Sequence, residues 1–167
     1  MTGTGLRYFD KSIQKAHEWI NDACREIGTD DREKAYMALK ATLIELRDCL
    51  SVEEAAQLAA QLPMVLRGAY YENWKPAATP IKVRDREEFI AKVYAHLAND
   101  TSFDPEKVVE GIFRVLEQRV SEGEIGDVKA ILPKQLKELW PAASTHGIRG
   151  RGKGSGNGKS ATEAGAT

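Results

Sequence analysis

The sequence predicts an all-α protein, and three observations predict it. Apolar residues recur three and four apart along most of the 167-residue chain, the spacing that lines one face of a helix. Helix-opening signals recur too: a Ser or Asp followed three residues later by Glu. No stretch sustains the alternation of a half-buried strand, and no Asn-Gly or Asp-Gly pair joins two apolar runs.

The first helix carries Ile13, His17, Ile20, Cys24 and Ile27 on one face and stops at Gly28, where a C-terminal glycine belongs. Asp30 with Glu33 opens the second, whose face is Ala35, Leu39, Leu43, Leu46 and Leu50. Ser51 with Glu54 opens a short third helix carrying Ala55, Leu58 and Leu62. Pro63 suits the first turn of a fourth, where a missing N–H loses no hydrogen bond; Leu66, Ala69 and Tyr70 follow. "NWKPAATPIKV" has two prolines and no helical period, and reads as a linker. The scheme then restarts. Asp85 with Glu88 precedes Phe89, Val93 and Leu97, and Asp104-Pro105 precedes Val109, Ile112, Leu116 and Val120. Ser121 with Glu124 precedes Ile125, Val128 and Leu132, and Pro133 precedes Leu136 and Trp140.

A shift of 70 aligns residues 16–70 with 86–140 without a gap and gives ten identities in 55 pairs, against roughly 6% expected by chance. Six fall between Ser51 and Leu66, and core positions match in type, as in Trp19/Phe89 and Tyr70/Trp140. The expectation is two tandem four-helix units, about 8–74 and 84–141, within one domain spanning 1–143. One unit of about 55 residues buries little, so the halves are expected to share a core.

Hydrophobic residues make up 42% of the chain and charged residues 29%, with a net charge of -1. The whole chain is therefore no bulk polyanion binder. No apolar run approaches the length of a membrane span, and the first residues lack the apolar region of a secretory signal. A cytoplasmic location is expected, with no membrane partner. Cys24 and Cys49 read as small packing residues. Residues 144–167 hold half of the 14 glycines and four cations, Arg149, Arg151, Lys153 and Lys159, against Glu163. That composition predicts a disordered tail.

The stretches "TDDREKAYMALKATLIELRDCLSVEEAAQLAAQLPMVLRGAYYENWKP", "RDREEF" and "GEIGDVKAILPKQLKELWP" resemble the bacterial domain-of-unknown-function family DUF2267, over about residues 8 to 141. The resemblance implies an all-helical fold and no agreed activity, and it carries no catalytic residues. Lys40 and Cys49 stand where the family pattern suggests arginine.

No metal-ligand spacing appears: His17, His96 and His146 are scattered, and there is neither HExxH nor CxxC. His17 on an apolar face reads as a structural histidine. Cys24 and His17 are two turns apart, too far for a nucleophile and its base. "GRGKGSGNGKS" lacks the strand and helix of a phosphate-binding loop. Neither a cofactor, a metal nor a catalytic residue is assigned. Arg67, Tyr70, Tyr71 and Trp74 share a helical face; Arg67, Tyr71 and Trp74 are candidate partner-binding residues, while the plainer reading has the aromatics sealing the junction between halves. Acidic residues such as Asp48, Glu53 and Glu54 read as caps and solvated faces. The expected function is a non-enzymatic interaction or scaffolding module with an unknown protein partner. Weak nucleic-acid binding through the four tail cations is the second reading, and an enzyme with a site between the halves is the third.

Overall fold

The computed structural model describes residues 3–141. The expected tail and its four cations lie outside the described residues. Among these there are eight α-helices and no strand: α1 (Arg7–Ile27), α2 (Arg32–Asp48), α3 (Val52–Ala60), α4 (Met64–Tyr71), α5 (Arg86–His96), α6 (Pro105–Arg119), α7 (Glu122–Ile131) and α8 (Lys134–Lys137). The linker is not featureless. Pro76–Ala78 forms a 3₁₀ turn, the Ile81 amide donates to the Asp48 carbonyl at 2.7 Å, and Val83 is buried.

The helix starts are written locally. Ser51 and Ser121 accept from the amides of Glu54 and Glu124 at 3.2 and 3.3 Å, and Asp85 and Asp104 accept from those of Glu88 and Lys107. α2 is capped by Asp31, one residue later than expected, and Pro63 and Pro133 each sit just before their helix. Gly28 ends α1 at φ 74°, a left-handed conformation that glycine adopts without cost.

α2 and α6 are the central helices. α2 buries Leu39, Leu43 and Leu46 on the expected face, and also Ala38, Ala41 and Arg47 beyond it. α6 buries Val108, Val109, Ile112, Phe113, Val115 and Leu116. α1 packs against both, α5 against both, and α3 against α7. One continuous core results, from Trp19 and Leu39 to Phe89 and Trp140. Leu62 and Leu132, Leu66 and Leu136, and Tyr70 and Trp140 are all buried at the 70-residue offset. The offset fails at the first helix. α5 starts at Arg86, which corresponds to Ala16, so the first two turns of α1 have no counterpart.

The face of α1 also differs from the expected one. Its buried stripe is Ser12, Ala16, Trp19 and Ala23; Ile13 is 38% exposed, and Ile20, Cys24 and Ile27 lie at the boundary. His17 is exposed, with the Arg32 guanidinium against its Nδ1. Trp19 settles the rotation, because burying an indole removes more apolar surface than burying either isoleucine.

α1 and α6 approach closely at Gly111. A Cβ there would lie 2.8 Å from Ile27 Cγ2 and 3.1 Å from the Glu26 carbonyl oxygen. Gly111→Ala is therefore expected to destabilise by about 1–3 kcal/mol despite alanine's better helix propensity. Urea denaturation checks this; a stabilised variant would contradict the crossing.

Candidate functional site

The unmatched turns of α1 build one wall of an open cleft of about 590 Å³, closed elsewhere by the α3–α4 turn, α4 and the end of α6. Its cations are Lys11, Lys15, Arg67 and Arg119. Arg119 is neutralised: its Nε lies 2.5 Å from Asp22 Oδ2, and Glu18 is 3.8 Å from its Nη1. Burial raises the pKa of Asp22, but hydrogen bonds from Arg119 and Arg25 outweigh that and hold it below the ordinary carboxylate value. Arg67 donates from Nε to the Ala59 carbonyl at 2.9 Å and from Nη2 to that of Leu62 at 3.0 Å. It satisfies carbonyls that the end of α3 leaves open. Among the described residues, no ion pair includes Lys11, Lys15 or Arg67.

Two exposed apolar side chains stand beside these cations. Tyr8, 69% exposed, and Met64 line the cleft; Leu6, Phe9 and Ile13 are exposed at the same end of α1, and Val65 lies beside Met64. Single exposed apolar residues are ordinary, so it is Tyr8 and Met64, which line the cleft itself, that bear on its use.

Arg67, Tyr71 and Trp74 are not brought together as one cluster. Arg67 turns back to α3, whereas the Tyr71 and Trp74 rings lie 5.2 Å apart, half-buried against the core. Tyr70 is fully buried and donates its hydroxyl to the Ala55 carbonyl at 2.8 Å. Among the described residues, the rings under a cation are Phe103 and Trp140, covered by Lys34 and Lys129. Tyr8, Lys11 and Lys15 were not signalled by the sequence, since the cleft arises only from the packing of α1 on α4.

A second site lies where α3 meets α7. Glu54 and Glu124 are capped at their amides as expected, but they are not solvated: they are 8% and 9% exposed, and Oε1 of each has no hydrogen-bond partner. Carboxylate oxygens of Glu54, Glu124 and the exposed Asp127 lie within 4.8 Å of one another. Burial, contact with Glu54 and the charge of Asp127 push the Glu124 carboxyl up to about 7. The Ser121 amide, donating to Gln61 Oε1 at 3.3 Å, ties the two helices together beside it.

The remaining reactive groups are engaged otherwise. His96 lies 2.7 Å from Glu45 across α5 and α2. Burial pushes the Cys49 thiol up to about 12, which suits a packing residue and not a nucleophile. No helix among the described residues is long and apolar enough to cross a membrane.

Fold and sites together define a class: an all-helical domain with an open cationic cleft on one side and a buried carboxylate junction. The chain belongs to the DUF2267 family, described as an uncharacterized conserved protein, whose model matches residues 16–139. That span includes Glu54, Glu124 and Asp127 and begins after Tyr8, Lys11 and Lys15. No curated protein matches the chain.

Proposed function

We propose that the protein is an interaction module whose cleft receives an acidic segment of a partner protein, anchored by apolar side chains. One observation carries this reading: Lys11, Lys15 and Arg67 have no carboxylate partner among the described residues and stand beside the exposed Tyr8 and Met64. Unneutralised cations supply charge complementarity and faster encounter, and the aromatic and thioether side chains supply contact area. Met64 beside Tyr8 in the cleft favours a protein over a nucleic acid, whose backbone offers a thioether nothing to bury.

Selection of random peptides displayed on phage against the folded chain tests the proposal. The enriched sequences are expected to combine Asp or Glu with Leu, Phe or Trp. The double variant Lys11→Glu/Lys15→Glu should weaken the best peptide by about tenfold or more. Enrichment of basic or neutral peptides, or equal binding by the variant, would refute the cleft as the binding surface.

A further inference from the structure

The junction of α3 and α7 holds an unresolved charge. Two glutamates, each more than nine-tenths buried, leave Oε1 without a hydrogen-bond partner, and a carboxylate oxygen from each lies within 4.8 Å of the other and of one from the exposed Asp127. Two bare carboxylates this close and this buried repel each other unless something positive lies between them. A single proton can bridge the two buried oxygens, and the exposed Asp127 adds a third oxygen within reach of the same point. Oxygens around one hard cation lie about 2.0–2.6 Å from it, so pairs of them lie up to about 5 Å apart, a limit that three oxygens within 4.8 Å of one another do not exceed.

We propose that Glu54, Glu124 and Asp127 bind a hard divalent cation at this junction. The all-oxygen set suits Mg²⁺, Ca²⁺ or Mn²⁺ and serves zinc and copper poorly. Asp127 is exposed and gives the ion a path from solvent, with water completing its coordination. The arrangement follows from the 70-residue offset. Glu54 and Glu124 hold the same position after their capping serines, so packing α3 on α7 brings the two face to face. The counterpart of Asp127 is Gln57, so the third ligand comes from one side alone.

The test uses the full chain, stripped with EDTA and desalted. Thermal denaturation is followed at about pH 7.5 with about 5 mM MgCl₂, CaCl₂ or MnCl₂ against NaCl of equal ionic strength. At least one ion is expected to raise Tm by about 3 °C or more. The rise should shrink as pH is lowered, because protons compete with a cation for carboxylate oxygens. It should also vanish in Glu124→Gln and shrink in Asp127→Asn, whose exposed position leaves folding intact. Independently of any variant, trace Mn²⁺ should selectively broaden the amide resonances of Ala55 and Val128. No rise with any of the three ions, together with no selective broadening, would overturn the site and leave the glutamates sharing a proton.

Discussion

Replacing Phe113 by alanine is expected to cost about 3–5 kcal/mol of folding stability, near the top of the range for single core truncations. Phe113 lies in the middle of α6 and is fully buried. Its ring stacks on Trp140 with centroids 4.2 Å apart and planes 15° apart, and it lies 6.0 Å from the Phe89 ring on α5. One side chain thus joins α5, α6 and the segment after α8. Truncation removes a large buried apolar surface and an aromatic pair together, and neither the indole nor the Phe89 ring can move without disturbing a second helix. Equilibrium denaturation with urea reads the loss; a cost below about 1 kcal/mol would show that Phe113 does not hold these elements together.

Arg47→Met is expected to cost about 3–5 kcal/mol, although the new side chain is apolar and fills most of the arginine stem. Arg47 is 3% exposed. Its Nη1 donates to the carbonyls of Tyr70 and Glu72 at 2.6 and 3.0 Å, and its Nε to Asp48 Oδ1 at 2.9 Å. The guanidinium satisfies the end of α4 and neutralises an acid on its own helix at once. Methionine replaces the stem but not the guanidinium, and strands two carbonyls and a carboxylate. Arg47→Lys should recover little, because one ammonium cannot reproduce the planar fork. Adding Asp48→Asn to Arg47→Met should recover part of the loss by removing the stranded charge. Denaturation of the three variants checks this order; a cost for Arg47→Met within about 0.5 kcal/mol of zero would contradict it.

The central helices were legible in the sequence because their signal is redundant. Leu39, Leu43, Leu46 and Leu50 repeat at helical spacing, and Ser51, Asp85, Asp104 and Ser121 place helix starts through contacts only two or three residues long. On α1 two stripes compete, and the expected one packs against the core only at Ile20, Cys24 and Ile27. Counting apolar residues favours Ile13 and Ile20, whereas packing favours Trp19 flanked by the small Ala16 and Ala23. The sites were hidden for a different reason. A capping serine reports where a glutamate's amide points, but the destination of its carboxylate depends on a helix 70 residues away. Likewise Arg67 is a helical neighbour of Tyr71 and Trp74 in sequence, yet its long side chain reaches back to the end of α3.

Both sites depend on the two halves folding as one body. The cleft takes Arg119 from the second half, and the carboxylate junction takes Glu54 from the first. Native-state hydrogen exchange measures this most directly. The amides of Leu43 on α2 and Phe113 on α6, both buried in the shared core, are expected to open with the same free energy, equal to that of global unfolding. An opening free energy lower by about 2 kcal/mol or more at either amide would mean that one half unfolds while the other stands, and would contradict the shared core.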